Sequence, residues 1–143
     1  MKRDAHEALR LNNQLCFPLY ACARAVTRRY KPCLDAIGLT YTQYITMLVL
    51  WEQRRATSKT LGERLYLDSG TLTPVLKKLE EKGLVTRARD PHDERNLMVA
   101  LTDRGATLEA AAAEIPAKMA KCLPLTPDEA ETLCGILRKI MEM

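Results

Sequence analysis

The chain has 143 residues, which suits one domain with a sizeable apolar core. Its residues are 47% hydrophobic and 28% charged, and no apolar run reaches the roughly 18 residues of a membrane helix, so we expect a soluble globular protein and no membrane partner. The net charge of +4 is compatible with a nucleic-acid partner but does not establish one. The N-terminus leads into no signal-peptide core, and we therefore expect a cytoplasmic, mainly helical protein.

The first predicted helix runs from Leu11 to Tyr30, where apolar residues recur at steps of three or four. Pro18 interrupts this pattern, because its nitrogen cannot donate a hydrogen bond to the carbonyl of Gln14. We therefore expect a bend or a late start close to Cys16.

The dipeptide Lys31-Pro32 predicts a break in this helix, with a short continuation to Ile37 left open. Gly38 is the expected end of that segment. Thr40 with Gln43 forms a capping-box pattern, so a second helix is expected through the apolar run from Tyr44 to Trp51.

A short helix around Ser58 to Tyr66 and a longer one from about Ser69 to Lys82 are separated by a turn at Leu67-Asp68. Asp68 is the expected cap of the longer helix, and Gly83 its stop. The buried face of that helix is expected to consist of Leu72, Val75, Leu76 and Leu79.

Two short strands follow, Leu84 to Arg89 and Asn96 to Leu101, joined by the polar hairpin tip 90–95. A long Ala-rich helix is then expected from Thr102 to about Leu123, kinked at Pro116. A last helix follows the capping motif Thr126-Pro127-Asp128-Glu129 and runs to the C-terminus.

Helix, turn, helix and hairpin in this order predict a winged helix-turn-helix, a fold that is mainly α with a small β-hairpin wing. The start of the second helix can approach base edges in the major groove, while its lysines reach phosphates. Arg95 is the candidate for insertion into the minor groove, and Asp93 the candidate to hold the tip by pairing with an arginine. The candidate DNA-binding residues are Asp68, Ser69, Gly70, Thr71, Thr73, Pro74, Lys77, Lys78, Asp93 and Arg95. Without the wing, such lysines would more often be a solvated helix face.

Three stretches resemble the MarR family of regulators, and the resemblance covers the chain from Leu11 onward. They are 67–79 with Lys82-Gly83-Leu84-Val85, then Asp93-Glu94-Arg95, then Leu101-Thr102-Asp103-Arg104-Gly105. The resemblance implies a single MarR-type domain, 1–143, that forms an obligate homodimer on a pseudo-palindromic operator of double-stranded DNA. Residues 11–37 and 103–143 would dimerise, and residues 40–102 would form the winged motif. The apolar last helix agrees, because it needs a partner surface.

The chain contains five cysteines, with no C-x-x-C spacing and no histidine nearby, so neither a metal site nor a cofactor is expected. A reactive cysteine must be partly thiolate, and hydroxyl donors can stabilise that anion. Tyr20 lies one helical turn after Cys16, and Tyr30 and Tyr41 are further phenols. Spacing alone leaves open that Cys16 and these tyrosines are packing residues. The other cysteines are Cys22, Cys33, Cys122 and Cys134.

A narrower resemblance is to the organic hydroperoxide resistance regulators. Its motifs are 13–17, Tyr20, Tyr30-Lys31-Pro32, 39–44 and Leu50-Trp51-Glu52. The resemblance implies a repressor, not an enzyme, in which organic hydroperoxides oxidise Cys16 to a sulfenic acid. Tyr30 and Tyr41 would hydrogen-bond Cys16 across the dimer, with Tyr20 nearby.

The two-cysteine branch of that group implies that Cys122 of the partner subunit resolves oxidised Cys16 as a disulfide. An external thiol, or Cys134, is the alternative. Three other functions stay open: a repressor that binds a phenolic ligand, a thiol peroxidase and a structural adaptor.

Overall fold

The computed structural model describes residues 5–143, with one compact unit that extends to Ala113 and a second that spans Glu114–Met143. The first unit contains, in chain order, α1 (Ala5–Ala8), a 3-10 turn (Leu11–Asn13), α2 (Cys16–Ile37), α3 (Tyr41–Gln53), β1 (Arg55–Thr57), α4 (Ser58–Leu65), α5 (Ser69–Glu81), β2 (Val85–Asp90), β3 (Asp93–Leu101) and α6 (Asp103–Ala112). The second contains α7 (Ile115–Cys122) and α8 (Pro127–Met141). The expectation of a mainly helical chain with a small β-hairpin is confirmed.

Helix α2 begins late, at Cys16, as the position of Pro18 predicts. A proline in the first turn costs little, because the amide it lacks would have no partner within the helix. The expected break at Lys31-Pro32 is wrong: α2 continues through Pro32 to Ile37 and ends at Gly38, whose φ is 70°. Leu34, two residues after Pro32, is buried, and its burial offsets the hydrogen bond that Pro32 removes.

Helix α3 carries the capping box that its sequence predicts. The Thr40 hydroxyl accepts from the amide of Gln43 at 3.3 Å, and the Gln43 side chain accepts from the amide of Thr40 at 3.0 Å. Met47 and Leu50 are fully buried and form the centre of the first unit's core. Between Ala5 and Met143, no helix taken singly has the length and apolar character to cross a membrane; α2 and α3, bent by 69°, meet that criterion only as a pair.

The sheet has three antiparallel strands in the order β1-β3-β2. Strand β2 has the predicted length but is shifted by one residue, and β3 begins at Asp93 rather than at Asn96, so Asp90 pairs with Asp93 and the turn shrinks to Pro91-His92. Strand β1 was not predicted, because three residues are too few to show an alternating pattern. It pairs with β3 and places Ala56 opposite the buried Val99.

The single long helix predicted from Thr102 to about Leu123 is wrong. Thr102 caps α6 as expected, but α6 ends at Ala112. Pro116 then lies in the first turn of α7, where a proline is favoured, rather than at a kink within one helix. The cap of α8 at Thr126 forms as predicted, with Glu129 as its reciprocal partner.

Candidate nucleic-acid interface and sensor thiol

The first turn of α5 presents polar side chains because an aspartate caps it. Oδ1 of Asp68 accepts a hydrogen bond from the amide of Thr71 at 2.8 Å. Leu72, Leu76 and Leu79 turn into the core, whereas Val75 is only half-buried. The helix therefore offers a continuous exposed face, which comprises Ser69, Gly70, Thr71, Thr73, Pro74, Lys77 and Lys78.

Two features of this face bear on contact with DNA. A Cβ on Gly70 would lie 3.3 Å from Oδ1 of Asp68, which is a tight contact. The absence of a side chain at Gly70 therefore leaves room for the capping carboxylate. Lys78 forms an ion pair with Glu81 at 3.1 Å. Lys77 makes no ion pair within residues 5–143, so its ammonium group remains available to a phosphate.

The wing tip is held by hydrogen bonds to backbone groups. Asp90 accepts from the amide of His92 at 2.9 Å, and the guanidinium of Arg89 donates to the carbonyl of Glu94 at 3.2 Å. Asp93 accepts from the backbone amide of Arg95 at 3.1 Å. The predicted pairing of Asp93 with an arginine side chain is therefore not formed in the described part of the chain, although Arg95 is exposed as expected.

An ion pair that sequence reasoning missed joins the wing to α5. Glu80 accepts from the Arg87 amide at 3.0 Å and from Nη2 of the same residue at 3.1 Å. These hydrogen bonds hold the pKa of the Glu80 carboxyl below its usual value of 4.5, although burial opposes the shift. The order of charged residues in the sequence does not predict this ion pair, because α5 and β2 come into contact only in the folded chain.

Between α4, α5 and the wing lies a groove of about 460 Å³. Its polar lining combines hydroxyl, ammonium and guanidinium groups, which can donate to phosphate oxygens, with one carboxylate, which cannot. The donors belong to Ser58, Lys59, Ser69, Thr73 and Arg87, and the carboxylate belongs to Glu63.

Cys16 is exposed at the first position of α2. The segment before it is tied down by side-chain donors: Asn13 donates to the carbonyl of Glu7, and Gln14 to the carbonyls of Ala8 and Arg10, all at 2.7–3.0 Å. The first backbone amides of a helix lack partners within the helix, so they can donate to an anion near its N-terminus.

The predicted phenols do not all lie near Cys16 in one protomer. Tyr20 is one turn away, and its hydroxyl accepts from Arg24 at 3.2 Å. Tyr30 is 14 residues after Cys16 on the same helix, which places it about 21 Å from Cys16 at 1.5 Å per residue. Tyr30 packs edge-on against Tyr41 with ring centroids 5.0 Å apart. Only Tyr20 can therefore reach Cys16 within a protomer.

Tyr41 belongs to an aromatic cluster in which Tyr44 and Trp51 are buried. Tyr44 lies against both Tyr30 and Tyr41 and is itself packed against Trp51. Burial, and then the proximity of Tyr30, raises the pKa of Tyr41 above 10.0. The phenol of Tyr41 therefore stays protonated, and remains a hydrogen-bond donor, across the physiological pH range.

The remaining cysteines lie on three different helices. Cys22 and Cys33 are on α2, exposed and half-buried respectively. Cys122 is the last residue of α7 and Cys134 lies within α8, and both are exposed.

Comparison with known proteins places this architecture in a family. The SarA/Rot family of transcriptional regulators matches residues 28–111. The chain is 45% identical over 134 residues to the organic hydroperoxide resistance transcriptional regulator of Bacillus subtilis, which covers 94% of this chain and 91% of that protein.

Solved structures of AbfR, a protein of Staphylococcus epidermidis, have the same fold. The overoxidized form bound to DNA has a TM-score of 0.79 at 38% identity, covering 97% of this chain and 98% of AbfR. The disulfide form has a TM-score of 0.67 at 39% identity, covering 95% and 96%. The winged motif, the family match and these identities agree, and the chain belongs to the MarR/SarA family of winged-helix transcriptional regulators, of the organic hydroperoxide resistance type.

Proposed function

We propose that this regulator is a homodimeric repressor that binds a pseudo-palindromic operator when reduced and releases it when organic hydroperoxides oxidise Cys16. The observation that carries the proposal is the exposed thiol at the first position of α2. It occurs in a chain 45% identical to a regulator named for organic hydroperoxide resistance.

DNA binding is supported by the exposed polar face of α5 and by the wing. Ser69, Thr71 and Thr73 carry short side chains that can meet base edges in the major groove. Lys77 and Arg95 supply cations for phosphates and for the minor groove. The related AbfR has been solved bound to DNA in its reduced form.

A second copy of the chain is the partner that the apolar surface of α8 requires. None of its residues is buried in the protomer, although it is amphipathic, and Ile136 is 52% exposed. Leu11, Leu15 and Phe17 are likewise exposed near the other end of the chain. Exposed apolar residues in this number indicate an interface.

A dimer also offers Cys16 the phenols that its own protomer holds out of reach. The 21 Å or so between Cys16 and Tyr30 along α2 exclude a hydrogen bond within the protomer. An α2 that packs antiparallel against its copy would bring Cys16 to the Tyr30–Tyr41 pair of the partner. There the two phenols would donate to the sulfur or to the peroxide oxygen.

The chemistry proceeds in two steps. The Cys16 thiolate attacks the terminal oxygen of the hydroperoxide, the O–O bond breaks, and protonation of the departing alkoxide releases an alcohol and leaves a sulfenic acid. The thiol of Cys122 from the second protomer then attacks that sulfur, so that a disulfide forms and water leaves. Because a disulfide needs the two α-carbons within about 7 Å, its formation would move the helices that carry the winged motifs.

The test compares operator release by wild type and by Cys16→Ser. The reduced protein selects a duplex from a random DNA library, and cumene hydroperoxide is then added in a gel-shift titration. Wild type should release the duplex, whereas Cys16→Ser should bind with unchanged affinity and not respond. Affinity should fall steeply with salt, as expected for about 6–10 neutralised phosphates. A Cys16→Ser variant that still responds would contradict the sensor assignment.

Cys122→Ser separates the two resolving routes, with Cys134→Ser as the matched control. If Cys122 resolves Cys16, oxidised wild type and Cys134→Ser run as covalent dimers on non-reducing gels, and Cys122→Ser runs as monomers. A covalent dimer that persists in Cys122→Ser contradicts the Cys122 route. A monomer that gains the mass of an added external thiol in wild type supports the alternative route.

A further inference from the structure

Lys82 joins three helix ends within the first unit. It follows the last residue of α5, and its ammonium donates to the carbonyl of Gly38, which caps α2, and to Oε1 of Gln43 at 2.9 Å. The same Oε1 accepts from the amide of Thr40 in the capping box of α3. One cation therefore links the ends of α2 and α5 to the start of α3.

Both ends of this link are held rigidly. The backbone of Lys82 donates to the carbonyl of Lys78 at 3.0 Å, and Gly83 donates to Glu80 at 2.9 Å. Gln43 is 6% exposed, so its side chain has little freedom. A cation near the C-terminal carbonyls of two helices is also favoured by their dipoles.

Because Lys82 lies at the C-terminal end of α5, its hydrogen bonds influence the orientation of α5 relative to α2 and α3. The candidate base-contacting residues lie toward the other end of that helix, and Ser69 at its start is about 20 Å from Lys82 at 1.5 Å per residue. A pivot of roughly 10° at Lys82 would move Ser69 by about 3 Å, a full hydrogen-bond length.

We propose that Lys82 is a positioning residue that couples the Cys16-bearing helix α2 to the recognition helix α5. A displacement of α2 moves the Gly38 carbonyl, and the hydrogen bonds of Lys82 pass that movement to the end of α5. The proposal rests on the proposed function, since it explains how a change at Cys16 reaches the DNA-binding face.

The test uses full-length Lys82→Met, which keeps the aliphatic stem, Lys82→Arg, which keeps the charge and the donors, and Lys118→Met, which makes the same charge change on α7. The measured quantity is the ratio of duplex affinities before and after cumene hydroperoxide. We expect Lys82→Met to lower this ratio about three- to tenfold and Lys82→Arg to restore most of it. Simple loss of folded protein would reduce both affinities equally and leave the ratio unchanged.

Two further readouts complete the test. The slope of log affinity against log salt should stay unchanged in Lys82→Met, because a lost phosphate contact would reduce it by about one. Hydrogen exchange of reduced, DNA-free protein should speed up at residues 38–43 in Lys82→Met but not in Lys118→Met.

An unchanged affinity ratio in Lys82→Met overturns the coupling role of Lys82, and so does an equal effect of Lys118→Met. A wild type that does not release DNA on oxidation contradicts the proposed function instead. In that case the exchange of residues 38–43 and the reduced-state affinity decide whether Lys82 positions α5.

Discussion

Gly105 lies at a position in the first unit where there is no space for a side chain. A Cβ at this residue would lie 2.1 Å from the carbonyl oxygen of Leu84. The Gly105 carbonyl also accepts the indole hydrogen bond of Trp51 at 2.9 Å. The backbone of α6 therefore approaches the start of the wing as closely as it does only because no side chain is present.

We predict that Gly105→Ala lowers the free energy of unfolding by about 3 kcal/mol, because the backbone of α6 must move away from Leu84. Urea denaturation measures this change at fixed protein concentration, because the stability of the proposed dimer depends on that concentration. Gly135→Ala is the control, because apart from its chain neighbours and the adjoining backbone of α8 no described atom lies within 4 Å of the added carbon. Equal stability of the two variants would contradict the prediction.

At the scale of elements, the Glu80–Arg87 pair fixes the wing against α5. Its carboxyl has a pKa below 4.5, so its contribution to stability is complete above that pH and is lost as the pH falls through the folded-state pKa. The joint is therefore expected to loosen in acid.

We predict that Glu80→Gln flattens the loss of stability between about pH 5 and about pH 3, because the variant has no carboxylate to protonate there. Thermal unfolding across that range measures the effect. Glu81→Gln is the matched control, since it removes the same charge from the same helix and its only ion pair, among residues 5–143, is with Lys78. A wild-type pH profile retained in Glu80→Gln would argue against the pair.

For the whole molecule, the exposed apolar face of α8 is the feature on which the proposed dimer depends. Leu133, Ile136 and Ile140 lie along one face of it and are all exposed in the protomer. A helix with this pattern is stable in water only when its apolar stripe is covered.

We predict that Ile136→Glu raises the dimer dissociation constant at least about tenfold, because a buried carboxylate without a partner is strongly disfavoured. Sedimentation velocity over a concentration series measures it. Arg138→Ala shifts the net charge by the same amount from the opposite side of the helix and should remain dimeric. Dissociation of both variants alike would point to a general electrostatic effect.

The helix caps and the winged pattern follow from local residue spacing along the chain. Thr40 with Gln43, Asp68, Thr102 and Thr126 all cap as predicted, because a cap depends on residues three positions apart. Local spacing likewise identified the exposed face of α5 and the late start of α2. Residue spacing did not distinguish a sensor role for Cys16 from a packing role. The candidate sensor role of Cys16 rests on the motif resemblance.

Contacts between residues far apart in the chain could not be predicted in this way and are seen only in the folded protein. Lys82 and Gln43 are 39 residues apart, and their hydrogen bond has no signal in local spacing. The same holds for β1, which is a strand only because β3 lies beside it. The helix through Pro32 persists because burial outweighs a local preference. Caps are short-range interactions. Strand pairing, the Glu80–Arg87 ion pair and the hydrogen bonds of Lys82 instead need the folded chain to bring their partners together.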